Sequence, residues 1–206
     1  VGWYVTSPLV WGIHVANNAP IQSVDELAGK KYAVSRLGSG SHLMSLVDAE
    51  NRGLTLESNQ FVIVNNLAGA VAALPAGTAD IFFWEKFTTK PWVDNETFRR
   101  IGECPTPWPC FVIAAGTQFL EQNKEQVQKV LEVIHRTARE FRALSNGTKI
   151  ISERYGLQLA DIEEWYRFLV WAENNDINKN DFIQIAERLK KLGVVQTTDH
   201  AGDIVG

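Results

Sequence analysis

The chain has 206 residues, of which 45% are hydrophobic, and a formal net charge of −4 at pH 7. This length and composition allow one large domain or two small ones with a full core. Basic residues occur at most in pairs, such as Lys30-Lys31 and Lys190-Lys191, which with the net negative charge argues against a nucleic-acid-binding surface. No run of about 18 apolar residues occurs, so the sequence predicts no membrane-spanning helix.

Strand-like and helix-like segments alternate through the first half of the chain. Apolar runs predict strands over residues 3–5, 11–16, 31–35, 61–64 and 80–85. Between them, Ser23 and Glu26 have the spacing of a capping box, and residues 41–51 and 67–74 have helical patterns. This alternation predicts parallel strands in an α/β sheet, with ligands collecting at the carboxyl ends of the strands.

The second half of the chain is predominantly helical. Two further strands are predicted at residues 99–103 and 110–115, on either side of a proline-rich stretch that is the predicted joint between two halves. Helices are then predicted from residue 123 onward and over residues 147–155, 160–171 and 179–192.

The turn after the strand at residues 31–35 is the most informative segment for function. Gly38, Ser39, Gly40, Ser41 and His42 place two glycines and two hydroxyls at a helix start, where backbone N–H groups have no intrahelical partner. Such a turn predicts a binding site for a carboxylate, sulfonate or phosphate. The alternative is an ordinary strand-to-helix turn in which Ser41 is the N-cap.

The same residues argue against catalysis and against a cofactor or metal site. Ser41 and His42 are adjacent at a helix start and do not face each other as a nucleophile and base would. The turn lacks the third glycine of a dinucleotide loop and the lysine of a Walker loop. The other histidines, His14, His135 and His200, show no metal-ligand spacing with the cysteines. We therefore predict no cofactor and no metal.

Several motifs carry a resemblance to a known family. Residues 24–34, Val-Asp-Glu-Leu-Ala-Gly-Lys-Lys-Tyr-Ala-Val, followed by the glycine-serine turn, resemble the type II periplasmic substrate-binding proteins of ABC importers. The nitrate, sulfonate, taurine and thiamin-precursor group is the most similar. Within that group, residues 7–11, 35–41, 83–88 and 106–108 are similar to a divergent branch with bacterial and fungal members.

The resemblance implies a fold and a division of the chain. The fold would be the α/β periplasmic-binding-protein type II fold, in which hinge strands join two lobes and the ligand lies between them. Residues 1–19 would form hinge strands and part of the first lobe, residues 20–105 the second lobe with the ligand-binding turn, and residues 106–206 the hinge return and the helical remainder of the first lobe. The N-terminal part of the first lobe is expected to be missing from this sequence.

The resemblance also implies the site residues. The turn at residues 38–42 would hold the acidic group of the ligand, and Glu85 would meet an ammonium or hydroxyl group. Trp84 and Trp108 would wall the cleft, and Ser7 would donate a hydrogen bond to the ligand.

Each of these residues also has a purely structural alternative. Glu85 would form a salt bridge to Arg36 or Lys86, at least one of the tryptophans would pack in the core, and Ser7 would only end a strand.

The implied function is that of a solute-binding protein without enzymatic activity. Its ligand would be a small anionic or zwitterionic molecule of the sulfonate, carboxylate, nitrate or pyrimidine-precursor class. Its partner would be the permease of an ABC transporter if the protein is bacterial. It would then be periplasmic or membrane-tethered, and cytoplasmic if it is a eukaryotic relative. A truncated lobe is further expected to self-associate through exposed apolar surface.

Two alternatives remain at this point. One is an enzyme related to those that make the thiamin pyrimidine precursor, which would need a reactive lysine or histidine in the cleft. The other is the ligand-sensing domain of a regulator.

Overall fold

A computed structural model of the chain describes residues 2–199 and 201–203. Its strands are β1 (Gly2–Val5), β2 (Val10–Ala16), β3 (Tyr32–Val34), β4 (Phe61–Ile63), β5 (Ile81–Glu85), β6 (Phe98–Pro105) and β7 (Phe111–Ile113). Its α-helices are α1 (Gly40–Asn51), α2 (Leu67–Ala73), α3 (Lys90–Asp94), α4 (Thr117–Gln122), α5 (Lys124–Arg142), α6 (Gly147–Tyr155), α7 (Leu159–Phe168) and α8 (Lys179–Lys191).

The chain divides into two compact units. Residues 2–8, 107–199 and 201–203 form the first unit, and Leu9–Thr106 form the second. The second unit therefore also contains residues 9–19, which the sequence had assigned to hinge strands and the first lobe. They lie there because β2 is an internal strand of the second unit's sheet, between β5 and β6.

The second unit is built on a mixed five-stranded sheet in the order β4-β3-β5-β2-β6. β3 pairs in parallel with β4 and β5, as predicted. The prediction of parallel pairing is wrong for β2, which runs antiparallel to both β5 and β6. Both kinds of ladder satisfy the backbone hydrogen bonds, and an apolar run in the sequence does not encode the direction of a strand.

The sheet of the second unit is covered by helices. α1 packs against β3 and β5, α2 against β3, and α3 against β6. On the face that carries α2, Phe82 and Phe98 form a buried cluster with Ala70 and Leu74, and Trp92 packs against it. This core fixes the positions at which β3 and β5 end, and the turns that follow these two strands contain most of the predicted site residues.

The first unit combines a two-stranded sheet with a group of helices. β1 pairs antiparallel with β7. The predicted helix at residues 160–171 ends at Phe168, because the residues that follow bond to β1 and to the residue after it. The amide of Ala172 donates to Tyr4 O, and the amide of Thr6 donates to Val170 O. α5 buries Leu131 on one face. None of the helices in the described part of the chain has the length and apolar character needed to cross a membrane.

Candidate functional site

Three segments of the second unit meet at one edge of its sheet. β3 and β5 are parallel, with Tyr32 beside Ile81, so the turns that follow them leave from the same edge. β2 runs the other way and begins there, which places Trp11 directly opposite Glu85. Residues paired in this way project from the same face of a sheet. This edge therefore gathers the turn at residues 35–42, the turn at residues 85–89 and Trp11.

The hydroxyls and the imidazole of the first turn bond to the turn itself. Ser39 is the N-cap of α1, and its Oγ accepts a hydrogen bond from the amide of His42 at 3.4 Å. Ser41 Oγ accepts from the amide of Ser35 at 3.0 Å and lies 3.0 Å from Ser39 Oγ. His42 Nδ1 accepts from the amide of Gly38 at 3.1 Å. These side chains hold the turn in shape rather than point away from it.

This geometry corrects the expected N-cap. Ser41 is not the cap, because it already lies in the first turn of α1 and its buried hydroxyl faces Ser35. Gly38 has φ +74°, a left-handed conformation that favours glycine and that brings Ser39 to the cap position.

The backbone amides of Gly40 and Ser41 are the donors of this turn that are free to bind a ligand. Within residues 2–199 and 201–203, neither donates a hydrogen bond to a protein acceptor. Such amides lie at the positive end of the helix dipole and can hold an anion. The exposed Arg36 adds positive charge, with its Nη1 near Gly38. The start of α1 can therefore bind a carboxylate, a sulfonate or a phosphate.

His42 supports this turn in its neutral form. Its ring meets Phe61 edge-on at 4.5 Å between centroids, and burial lowers the pKa of His42 below its usual value. A neutral imidazole offers one nitrogen as an acceptor, which the amide of Gly38 uses.

Glu85 has a role within its own turn. Its Oε2 accepts hydrogen bonds from the amides of Phe87 at 3.0 Å and Thr88 at 2.7 Å. Lys86, proposed as an alternative partner, lies 3.0 Å from the carboxylate of Glu103. The half-buried Glu85 therefore caps the turn after β5, and its contact with a ligand stays a prediction.

Thr89 and Arg100 hold the second turn by hydrogen bonds, and the buried His14 lies against Thr89. Thr89 Oγ1 donates to the carbonyl of Glu85 at 3.0 Å and lies 2.9 Å from His14 Nε2, while Arg100 donates to the carbonyl of Lys86. His14 is fully buried, and this burial, with the nearby positive charge of Arg100, lowers the pKa of His14 to about 4. The imidazole is therefore neutral, and its Nδ1 lies 3.2 Å from the carbonyl of Phe82 as the donor.

Trp84 belongs to both the core and the site edge. Its ring stacks on the buried Phe82 at 5.2 Å and meets Trp11 edge-on at 6.3 Å between centroids. Both tryptophans are half-buried. Trp84 thus has the packing role that the sequence offered as its alternative, and its contact with a ligand stays a prediction.

Ser7 and Trp108 lie in the other unit. Ser7 Oγ accepts a hydrogen bond from the amide of Val170 at 3.1 Å, and the guanidinium of Arg188 lies over the ring of Trp108 at 5.5 Å. The second unit brings together residues 38–42, Trp84 and Glu85, whereas Ser7 and Trp108 have partners in the first unit. Their contact with a ligand stays a prediction.

No metal centre is found among the residues that the structure describes, since no three or more His, Cys, Asp or Glu side chains converge there. His14 and His42 are engaged as described, and His135 is buried in α5. His200 lies outside the described residues.

Trp11 is the site residue that the sequence did not identify. A Cβ built on Gly40 would lie 2.6 Å from Cη2 and 3.0 Å from Cζ2 of the Trp11 ring. In the sequence, Trp11 stands at the start of an apolar strand and at the end of the family motif at residues 7–11. Its place beside Gly40 follows from the antiparallel pairing of β2, which the sequence did not predict.

Comparisons with known proteins agree with this architecture. The family described as Ca3427-like PBP matches residues 11–104, which contain the turn, Trp11 and Glu85. Among curated proteins, no match to the chain is found.

Three solved structures illustrate the likeness. The CA3427 gene product of Candida albicans, which defines a family with the generic periplasmic binding protein fold, superposes with a TM-score of 0.87 at 23% identity; the match covers 98% of this chain and 68% of that one. The alkanesulfonate-binding protein SsuA of Xanthomonas axonopodis pv. citri, bound to MOPS, has a TM-score of 0.71 at 17% identity, over 93% of this chain and 69% of its own. Rpa4515 of R. palustris, with adipate, has a TM-score of 0.54 at 15% identity, and the match covers 93% of this chain and 68% of that one.

These likenesses are structural, and each covers about two thirds of the similar protein. The chain therefore has the α/β fold of the type II periplasmic binding proteins, and its residues 11–104 match the Ca3427-like family of that fold.

Proposed function

We propose that this protein is a non-enzymatic solute-binding protein that captures a small anionic or zwitterionic molecule for an ABC importer. The observation that carries the proposal is at the start of α1, where the amides of Gly40 and Ser41 have no acceptor among the residues that the structure describes. The acidic group of the ligand accepts hydrogen bonds from them, and the nearby Arg36 attracts it.

Two of the similar structures support an acidic organic ligand. SsuA is described as alkanesulfonate-binding and holds MOPS, and Rpa4515 holds adipate. One is a sulfonic acid and the other a dicarboxylic acid, so both present an oxyanion that main-chain amides can bind. By analogy, the ligand of this protein is a sulfonate, a carboxylate, nitrate or an acidic pyrimidine precursor.

The transport role and the compartment form part of the same proposal. A bacterial protein of this kind would be periplasmic or membrane-tethered and would deliver its ligand to a permease, whereas a eukaryotic relative would be cytoplasmic. Ligand binding favours whichever conformation makes the most contacts with the ligand, and a permease recognises that conformation.

Calorimetric titration of the protein tests this function. The panel comprises taurine, methanesulfonate, nitrate, adipate and a phosphorylated pyrimidine precursor of thiamin. We expect at least one of them to bind, and its affinity to fall about tenfold or more in Gly40→Val, because a side chain at residue 40 must displace the ring of Trp11 and crowds the amides.

Gly116→Ala is the matched control. Gly116 has φ −62°, and a Cβ there meets nothing within 4 Å, so this variant should bind as the unmodified protein does. The proposal is wrong if no member of the panel binds, or if Gly40→Val folds and keeps full affinity.

A further inference from the structure

β7 is the outer strand of the first unit's sheet. Among residues 2–199 and 201–203, it pairs with β1 alone. In an antiparallel pair, successive residues of a strand turn their N–H and C=O groups to opposite sides, so about half of the backbone groups of β7 point away from β1. A sheet of only two strands is marginally stable, and its outer edge is a template for a further strand.

Burial falls steeply from β1 to β7. Trp3 of β1 is 6% exposed, whereas Val112, its partner across the ladder, is 47% exposed. Val5 of β1 is 7% exposed, and its partner Phe111 is 42% exposed. On one face, Phe182 of α8 stacks on Trp3 at 5.0 Å between ring centroids, which covers β1 and leaves Val112 half exposed. The uncovered apolar side of this sheet is therefore the β7 side.

β7 lacks the charges, prolines and bulges that keep edge strands apart in natural sheets. No charged residue occurs between Glu103 and Glu121, and residues 110–115, Cys-Phe-Val-Ile-Ala-Ala, also lack proline. The irregularity in the ladder lies in β1, between Trp3 and Val5, so β7 itself is regular. Uncharged apolar segments of this length pair readily with copies of themselves.

We propose that β7 is the surface through which this protein self-associates, by pairing with β7 of a second copy. The two strands run antiparallel about a two-fold axis near Val112, which makes one sheet in the order β1-β7-β7-β1. Because β7 and its flanks are uncharged, two identical strands meet without the like-charge repulsion that a charged edge would impose. Each copy uses its one β7 edge, so the assembly stops at two chains.

Sedimentation equilibrium over a range of protein concentrations tests this pairing. The average mass should rise from that of one chain, 23.1 kDa, towards that of two chains as the concentration increases. Val112→Lys should weaken the dimer about tenfold or more, because the two-fold axis brings the two added charges close together at the centre of the paired strands.

Val130→Lys is the matched control. Val130 lies in α5 of the same unit and is 57% exposed, so the same substitution is made at a similarly exposed valine away from β7. This variant should dimerise as the unmodified protein does. If Val130→Lys weakens the dimer as much as Val112→Lys does, or more, the interface is not β7 and the inference is wrong.

Amide hydrogen exchange gives a second measurement that needs no variant. The amides of β7 that point away from β1 should exchange more slowly at high protein concentration than at low concentration. The amides of β3, which lies inside the sheet of the second unit between β4 and β5, should exchange at the same rate in both samples.

Three results would overturn the inference. One is a protein that stays a single chain at every concentration, which would leave β7 to a different polypeptide. Another is a dimer in which the exchange of the β7 amides does not change. The third is an assembly of more than two chains, because one β7 edge in each copy allows only two. The anion site of the second unit does not depend on any of these results.

Discussion

Two turns leave the same edge of the second unit's sheet, and they differ in the hydrogen bonding of their backbone amides. In the turn at residues 35–42, the side chains bond to the turn itself, and the amides of Gly40 and Ser41 have no acceptor in the described part of the chain. In the turn at residues 85–89, the carboxylate of Glu85 accepts hydrogen bonds from the amides of Phe87 and Thr88. Both are capped turns after buried strands. The pairing of the backbone amides, more than the presence of polar side chains, is therefore what makes the first turn the candidate for anion binding.

Acid should destabilise the second turn through the protonation of His14. His14 binds a proton at a pKa of about 4 in the folded protein, against about 6.5 in the unfolded chain. Between these values the unfolded chain binds more protons, so the free energy of unfolding decreases as the pH falls from about 6.5 to 4. This single group accounts for a loss of about 3 kcal/mol.

Urea denaturation at pH 7 and at pH 4.5 measures this loss. His14→Gln removes the titrating group and should lose less stability between the two pH values than the unmodified protein. An equal loss in both proteins would show that His14 is not held neutral by its burial and by the nearby Arg100.

Removing one cap from each turn sharpens the comparison. Ser39→Ala and Glu85→Ala each leave backbone amides without their acceptor, and each should lower the free energy of unfolding by about 1 kcal/mol. Only Ser39→Ala should also weaken anion binding, by about threefold, because it loosens the turn that presents the amides of Gly40 and Ser41.

Thermal unfolding and calorimetric titration of the same two variants separate these effects. A large loss of affinity in Glu85→Ala, at unchanged stability, would instead mean that the carboxylate of Glu85 contacts the ligand, as the sequence prediction had it.

The sequence predicted what depends on local spacing. The capping box of Ser23 and Glu26 forms, because its two members are three residues apart in the chain. The turn at residues 38–42 lies between a strand and a helix as predicted. The glycine at residue 38 and the helical spacing of apolar residues in α1 can both be read from neighbouring positions in the sequence.

The sequence did not predict what depends on contacts between distant segments. The antiparallel direction of β2 is set by its neighbours in the sheet. The same pairing determines the position of Trp11 against Gly40. Whether Glu85 faces a ligand or its own turn depends on a rotamer and on the path of residues 86–88, which residue types alone do not determine.

Amide hydrogen exchange in the presence and absence of taurine tests the central claim most directly. If the amides of Gly40 and Ser41 hold the anion, their exchange should slow about tenfold or more when taurine is bound, while the amides of Phe87 and Thr88, already paired with Glu85, stay unchanged. Taurine binding that leaves Gly40 and Ser41 unaffected would contradict the account.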